Sequence, residues 1–264
     1  MDGLHLIAIG DVVGRPGRRA VRELLPALRE KYEPCVVVTN AENAAGGSGI
    51  TAPTAQVLFD AGVDVITTGD HFFDDKGAGE LGEAEPRILR PANWSRHAPG
   101  RGWGTYELPV GVTVGVVNLM GRTYMGVPAG NFFDEADEIF AEMAESVTVR
   151  VVDFHAEATS EKIAFGRYLD GRVTLCAGTH THVQTADERV LPKGTAYITD
   201  LGMTGPHDSV LGRDYDSVLK RLRTSVPARF DVAKKDVVLN GVVVAVDAAT
   251  GRATSIERIS LPLE

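Results

Sequence analysis

Two histidines separated by one residue carry the clearest chemical signal in this sequence. His180 and His182 follow an apolar run and a glycine, with Thr181 between them. In extended backbone, side chains two residues apart leave the same side of the chain, so both imidazoles can reach one metal centre. An isolated His-Thr-His is more often a pair of exposed loop histidines. The position after a buried strand favours metal ligation here.

Four other apolar runs also end in residues that bind metal ions or transfer protons. Those residues are Asp11, Glu42, Asn43, Asp70, His71 and His155. Each has an ordinary structural alternative: Asp11 can cap the following helix, Asn-rich turns are usually only turns, and a lone histidine such as His155 is more often a hydrogen-bonded core residue. Taken together, the carboxylates and imidazoles are too many for one tetrahedral site. Two metal ions fit the set better.

A pair of ions about 3.5–4 Å apart generates a hydroxide near neutral pH and holds both the attacking and the leaving oxygen of a phosphoryl displacement. Such a centre requires a bridging carboxylate and an acid that does not bind metal. The mixed oxygen and nitrogen donors do not choose between first-row ions, so Mn and Fe both fit. The glycine-rich turn at 14–18 lacks the Lys-Ser or Lys-Thr ending of a Walker motif and the glycine spacing of a dinucleotide site.

Buried parallel strands are the elements that must position these side chains. The apolar runs cover residues 6–10, 36–38, 65–69, 149–154 and 173–177. Short runs rich in Val and Ile, separated by stretches of helical length, predict βα units. In open α/β sheets, ligands bind beyond the carboxyl ends of the strands. We therefore expect the polar residues after these runs to converge in one crevice.

The rest of the chain is interpreted as one α/β domain over residues 1–264, with a small cap around residues 74–135. Apolar spacing and proline positions predict helices over 18–31, 51–61 and 132–144, a hairpin joining 106–109 to 112–118, and a C-terminal hairpin over 236–261. Residues 74–103 are rich in Gly, Pro and charged residues, which predicts irregular structure with one short helix.

Composition excludes several classes of function. The 264 residues include 27 Lys and Arg against 36 Asp and Glu, a formal charge of −9, which disfavours nonspecific binding to nucleic acid. A small phosphorylated substrate remains compatible, because bound metal ions supply positive charge locally. The N-terminus lacks a basic leader, and no run approaches the ~18 apolar residues of a membrane span. These features predict a cytoplasmic protein, and they leave a homo-oligomer open.

Several motifs jointly resemble the YmdB-like branch of the calcineurin-type metallophosphoesterases. They are Gly-Asp-Val-Val-Gly-Arg-Pro-Gly-Arg at 10–18, Asn-Ala-Glu-Asn at 40–43, Gly-Asp-His at 69–71, His-Ala-Glu-Ala-Thr-Ser-Glu-Lys at 155–162, Gly-Thr-His-Thr-His-Val-Gln-Thr-Ala-Asp at 178–187 and Gly-Thr-Ala-Tyr-Ile-Thr-Asp-Leu-Gly-Met at 194–203. The resemblance implies a four-layer αββα sandwich with the metal site at the C-terminal ends of the strands. It also implies phosphodiesterase activity on cyclic nucleotides, 2′,3′-cyclic forms included and 3′,5′-cyclic forms as further candidates.

The resemblance also assigns roles to the candidate residues. One ion would take Asp11, Glu42 and His182, with Asn43 close by, and the other would take Glu42, Asp70, His155 and His180. Glu42 then bridges the two ions, and His71 protonates or stabilises the leaving oxygen. The chain departs from the family pattern at Asp70, where the family has Asn, and at Phe73, where it usually has Trp.

Three other functions remain open on the sequence. A phosphomonoesterase or a nuclease could use the same centre, although the acidic balance argues against a nuclease. A regulatory binding protein could retain a vestigial metal site and act through a partner. Substrate profiling separates the enzymes, and comparison with an Asp11→Ala variant separates enzyme from binding protein.

Overall fold

The computed structural model describes residues 4–108, 111–127 and 129–264. The strands, in chain order, are β1 (Leu4–Ile9), β2 (Val36–Asn40), β3 (Val65–Thr67), β4 (Ile88–Leu89), β5 (Trp103–Glu107), β6 (Thr113–Met120), β7 (Val149–His155), β8 (Leu175–Thr179), β9 (Arg189–Val190), β10 (Ala196–Ile198), β11 (Gly205–Pro206), β12 (Val237–Val246) and β13 (Ala253–Pro262). The α-helices are α1 (Gly14–Tyr32), α2 (Ala52–Asp60), α3 (Ala78–Ala84), α4 (Phe132–Glu142), α5 (Thr159–Tyr168) and α6 (Tyr215–Thr224). The described residues thus form a mixed α/β fold.

The strands divide between two sheets. In the first, the order is β11-β12-β1-β2-β3-β4 with β13 beside β12, and β1 to β4 run parallel. In the second, the order is β5-β6-β7-β8-β10-β9, and β6, β7, β8 and β10 run parallel. The prediction of parallel βα units is therefore confirmed. The apolar runs alone do not show that β1 to β3 belong to one sheet and β7 and β8 to the other.

Alternating side chains of the same strand pack into different cores. In β1, Leu6 contributes to an apolar cluster shared with Val114 and Val151 of the second sheet, while Ile7 contributes to a cluster shared with Leu25 of α1. A third cluster joins the second sheet to α4 and α5. Because successive residues of a strand point to opposite faces, a strand buried on both faces becomes a continuous apolar run. Because these strands must be apolar along their whole length, they could be recognised in the sequence.

The predicted helices and hairpins are confirmed with small differences in their limits. The first helix begins four residues earlier than expected, at Gly14, and the helix predicted over 51–61 is α2, with Thr51 as its N-cap. The C-terminal hairpin is the antiparallel pair of β12 and β13. The hairpin predicted over 106–118 consists of β5 and β6, which pair antiparallel. Pro109, which we included in that hairpin, lies outside the described residues.

The segment proposed as a cap contributes to both sheets. Residues 74–103 contain α3 and the short strand β4, which pairs with β3 in the first sheet. β5 and β6 then enter the second sheet. The interpretation of residues 74–135 as a separate cap remains a prediction. Within the described parts of the chain, no helix combines the length and apolar character needed to cross a membrane.

Candidate metal centre

The candidate residues lie at the ends of five parallel strands drawn from both sheets. Asp11 follows β1, Glu42 and Asn43 follow β2, and Asp70 and His71 follow β3. On the second sheet, His155 is the last residue of β7, and the segment from His180 to His182 follows β8. The strand ends of the two sheets meet at one place, so residues far apart in the chain become neighbours. The expected convergence in one crevice is confirmed.

Four of these side chains form a compact group of potential metal ligands. One donor atom each from Glu42, Asp70, His155 and His180 lies within 4.8 Å of the other three. His155 Nε2 is 3.2 Å from Glu42 Oε1, 3.1 Å from Asp70 Oδ1 and 3.0 Å from His180 Nδ1. Two carboxylate and two imidazole donors suit a first-row divalent ion.

Asp11, Asn43 and His182 lie directly beside that group. Asp11 Oδ1 is 3.9 Å from His182 Nε2, and Asn43 Nδ2 is 3.3 Å from the same nitrogen. Asn43 Nδ2 also donates to Glu42 Oε1 at 3.2 Å. Glu42 therefore contacts both sets of donors. The structure brings together all seven residues that the sequence offered as ligands.

An orphaned carboxylate oxygen shows that the residues fit a cation. Asp11 is fully buried, and its Oδ1 has no hydrogen-bond partner among residues 4–108, 111–127 and 129–264. Leaving a buried charged oxygen unpaired is costly unless a cation or a donor compensates it. Gly69 supports the same conclusion, because a Cβ atom there would lie 2.2 Å from His155 Nε2 and 2.4 Å from Glu42 Oε2. The backbone thus leaves room for these donor atoms.

Protons supply positive charge to the cluster when no metal ion is bound. Burial, together with the nearby Asp200 and Glu42, raises the pKa of Asp11 to about 7 against the opposing effect of His155. For His155, burial lowers the pKa, but the contacts with Glu42 and Asp70 outweigh burial and leave the pKa well above its ordinary value. Burial raises the pKa of Glu42 and of Asp70, but their interactions with His155 reverse this, and both pKa values lie below the ordinary range.

Hydrogen bonds on the far nitrogens orient two of the imidazoles. His155 Nδ1 is 2.9 Å from Thr179 Oγ1, which donates to Asp153 Oδ1 at 2.7 Å. His182 Nδ1 lies 3.1 Å from the carbonyl oxygen of Leu211 and donates its proton there. These bonds leave each Nε2 facing the cluster, and such outer partners fix both tautomer and ring orientation in metal sites.

The backbone around His180 and His182 differs from the prediction. The prediction that this segment is extended is wrong, because His180 has φ +97° and His182 has φ +65°. Residues other than glycine rarely adopt positive φ, and each such residue costs roughly 1–3 kcal/mol. The two side chains reach the cluster through a strained turn instead of from one face of an extended strand.

His71 lies at the rim of the cluster, in contact with the carboxylate of Asp74. Its backbone N–H donates to Glu42 Oε2 at 3.0 Å, and its Nδ1 is 2.8 Å from Asp74 Oδ2. Ser48 Oγ also donates to Asp74 Oδ2. The His71 side chain is partly exposed, so a substrate can reach it.

An open crevice of about 320 Å³ gives access to the cluster. It is lined by Val13, Glu42, Asn43, Gly47, His71, Glu157, His180, Thr181, His182, Leu211 and Arg213. A larger depression, of about 590 Å³, lies elsewhere beside Phe133 and Glu161 and contains none of the candidate ligands. The smaller crevice is therefore the candidate active site, because it is lined by candidate metal ligands and the larger depression is not.

Several residues that shape the site were missed in the sequence. Asp74 follows His71 by three residues in a helical turn, and that spacing was a usable signal. Asp153 was visible as a polar residue inside an apolar run, and Thr179 was visible as a polar residue just after one. The carbonyl group of Leu211 had no sequence signal at all, because any residue supplies a backbone oxygen.

Comparison with known proteins places the chain among related sequences and structures. A family profile described as YmdB-like protein matches residues 7–259. The chain is 48% identical over 256 residues to the 2′,3′-cyclic-nucleotide 2′-phosphodiesterase of Bacillus subtilis (strain 168), covering 97% of this chain and 96% of that protein. A crystal structure of a hypothetical protein from Thermus thermophilus has a TM-score of 0.92 and 37% identity, covering 99% of this chain and 100% of that one. A structure titled as a novel phosphatase from Mycoplasma pneumoniae has a TM-score of 0.92 and 34% identity, covering 99% and 94%.

Proposed function

The chain belongs to the YmdB-like protein family, and from this premise we propose that it hydrolyses cyclic nucleotides, 2′,3′-cyclic forms among them, with divalent metal ions. It is a phosphoric diester hydrolase. The observation that carries the proposal is the position of Glu42, whose carboxylate contacts donors of both ligand sets in one crevice. The Bacillus subtilis relative, a 2′,3′-cyclic-nucleotide 2′-phosphodiesterase, supports the substrate class.

The contacts of each side chain support the ligand roles that the family resemblance implies. We assign one ion to Asp11, Glu42 and His182, with Asn43 beside it, and the second to Glu42, Asp70, His155 and His180. When bound, the ions supply Lewis acidity, activating water near neutral pH and neutralising charge on the phosphate. Mn or Fe suits the donors, since neither the carboxylates nor the imidazoles select sharply among first-row ions.

His71 holds the proton that the leaving oxygen requires. Asp74 accepts a hydrogen bond from Nδ1, so the imidazolium form, with a proton on each nitrogen, keeps Nε2–H available for donation. In a 2′,3′-cyclic nucleotide, a water oxygen forms a bond to phosphorus as the bond between phosphorus and the 2′ oxygen breaks. His71 gives its proton to that 2′ oxygen, and the product is a 3′-phosphate. The contact with Asp74 holds the ring in place before and after the transfer.

A phosphomonoesterase is the second candidate function. The Mycoplasma pneumoniae structure with 34% identity is titled a phosphatase, and a crevice of about 320 Å³ also admits a terminal phosphate. A nuclease fits less well, because the formal charge of −9 repels a nucleic acid backbone. Comparing 2′,3′-cyclic AMP with 3′-AMP as substrates separates a diesterase from a monoesterase.

The remaining expectations extend the same proposal. We propose that the three apolar clusters make a four-layer αββα sandwich, which is supported by the packing of helices on one face of each sheet and of the sheets on each other. A single domain over 1–264 is supported by the family match over residues 7–259. A cytoplasmic location and a homo-oligomeric state remain predictions.

The deciding experiment is hydrolysis of 2′,3′-cyclic AMP by Mn-reconstituted protein, with chelated protein as control. We expect turnover only with metal, and 3′-AMP as the product. His71→Ala should lower kcat by about 10²–10⁴-fold, the usual contribution of a general acid, while metal content stays at the wild-type value. His97→Ala, an exposed histidine away from the cluster, is the matched control.

Three results would contradict the proposal. No turnover of any phosphoester in either preparation would favour a binding protein. Wild-type activity equal to that of Asp11→Ala would do the same. Loss of both metal ions from His71→Ala would show that His71 is a ligand and not the acid.

A further inference from the structure

A buried ion pair lies behind the strained histidine turn. Lys162, on α5, and Asp200, just after β10, are 1% and 0% exposed, and Lys162 Nζ donates to Asp200 Oδ2 at 2.6 Å. Neither residue contacts the crevice. Replacing a buried ion pair with apolar side chains is often neutral or stabilising, because both charges must be removed from water. Stability alone therefore gives a weak reason for this pair.

The carboxylate of Asp200 also accepts two hydrogen bonds from the residue between the two histidines. Its Oδ2 also accepts from the backbone N–H of Thr181 at 3.1 Å and from Thr181 Oγ1 at 2.7 Å. Its Oδ1 accepts from the N–H of Gly202 at 2.8 Å. The carboxylate thus binds the single residue between His180 and His182. Lys162 places its positive charge 2.6 Å from this carboxylate inside the protein.

The turn needs such an anchor because its two histidines have positive φ. Strained backbone persists only where the surroundings hold it. At the end of β8 the backbone of Gly178 packs closely against Thr199, because a Cβ on Gly178 would lie 1.8 Å from the carbonyl oxygen of Thr199. This contact restrains the backbone just before the turn. Beyond Gly178, Asp200 is the side chain that fixes Thr181 through two hydrogen bonds.

We propose that Lys162 and Asp200 are positioning residues that hold the His180–His182 turn in the geometry required for metal binding. The proposal rests on the proposed function, in that both histidines bind metal. The ion pair contacts neither metal nor substrate; it acts through Thr181. Outer partners that orient a metal ligand typically change metal affinity by 10–100-fold when removed.

Two variants and one matched control test the proposal. Thr181→Val removes the hydroxyl bond to Asp200 at nearly constant volume, and Lys162→Met removes the charge at nearly constant length. Thr174→Val makes the same chemical change at the opposite end of β8, where Thr174 is buried and its hydroxyl donates to the carbonyl oxygen of Gly251 at 2.6 Å. Isothermal titration with Mn²⁺ gives the apparent Kd, and thermal unfolding in chelator gives the stability of each metal-free protein.

We expect Thr181→Val and Lys162→Met to raise the apparent Kd for Mn²⁺ by roughly 10–100-fold. Thr174→Val should lower the unfolding temperature yet leave the Kd within about twofold. Equal Kd values in wild type and Thr181→Val would overturn the proposal even if Lys162→Met fails to fold. A Kd raised as much by Thr174→Val would also overturn it, because a general loss of stability would then explain the effect.

Metal binding and hydrolysis separate this proposal from the proposed function. Wild-type protein that binds Mn²⁺ with the expected variant pattern but hydrolyses no cyclic nucleotide would support the positioning role and overturn the function. Wild-type hydrolysis with unchanged Kd values in the variants would do the reverse.

Discussion

Asp70 adds a third carboxylate to the candidate metal centre, beside Asp11 and Glu42. Its Oδ1 lies 3.1 Å from His155 Nε2 and 3.5 Å from His180 Nδ1, within the group of four donors. The resembled family pattern has Asn at this position. A carboxylate binds a cation more tightly than an amide does, but it also reduces the net positive charge that polarises a phosphate.

Asp70→Asn should therefore weaken metal binding without lowering the rate at saturation. We expect the apparent Kd for Mn²⁺ to rise on the order of tenfold, because ligand charge sets cation affinity. At saturating Mn²⁺, kcat should equal or exceed that of the wild type. Titration calorimetry and steady-state kinetics measure the two quantities. Asp75→Asn, a charge change outside the donor group, is the control, and a tighter Kd in Asp70→Asn would refute the argument.

A glycine just after β3 leaves the space in which the donors meet. Gly69 follows β3, and the nearest atoms to a Cβ placed there belong to His155 and Glu42. Real Cβ atoms do not approach other atoms as closely as 2.2 Å, so a methyl group at this position must displace either the imidazole or the carboxylate. The candidate site therefore depends on the glycine after β3 as well as on the ligand side chains.

Gly69→Ala should lower both metal content and turnover by at least about tenfold, since displacing a ligand by even ~1 Å has large effects on catalysis. Gly126→Ala is the matched control, because no described atom lies within 4 Å of a Cβ at Gly126. Metal analysis after gel filtration and hydrolysis of 2′,3′-cyclic AMP are the measurements. Normal metal content in Gly69→Ala would contradict this prediction, because it would show that the backbone after β3 can shift to accommodate a methyl group.

The stability of the whole metal-free molecule depends on the protons in the cluster. The pKa of Asp11 is raised from 3.8 to about 7 by burial, so its protonated form favours folding below about pH 4 and that contribution is lost as pH rises through 7. The pKa of His155 is raised by Glu42 and Asp70 against burial, so its contribution is present below 6.5 and is lost at higher pH. Burial lowers the pKa of His182, so its contribution to folding stability is present at higher pH and is lost as pH falls.

In chelator, the unfolding temperature of the wild type should therefore fall from about pH 6 to about pH 8 more steeply than that of Asp11→Asn. The difference between the two proteins isolates Asp11 from groups such as His182. With Mn²⁺ the wild type should recover stability at about pH 8, because metal binding replaces the protons and is favoured by deprotonation. Differential scanning calorimetry at both pH values tests this, and parallel curves for the two proteins would contradict it.

The sequence determined the strands and the identities of the candidate ligands. Strands buried on both faces must be apolar along their length, and donor chemistry belongs to the residue type, so both were visible without coordinates. Motifs around Asp11, Glu42 and His180 then indicated the family. The resemblance to that family then implied the role of His71 as the acid.

Tertiary structure decided how those residues are held. Which sheet each strand joins, the hydrogen bond between His71 and Asp74, the positive φ of His180 and the unpaired oxygen of Asp11 depend on packing. Lys162 and Asp200 are 38 positions apart, and each reads as an ordinary charged residue in the sequence. The two residues form an ion pair only when α5 packs against the end of β10. The same packing buries both charges and removes water from them.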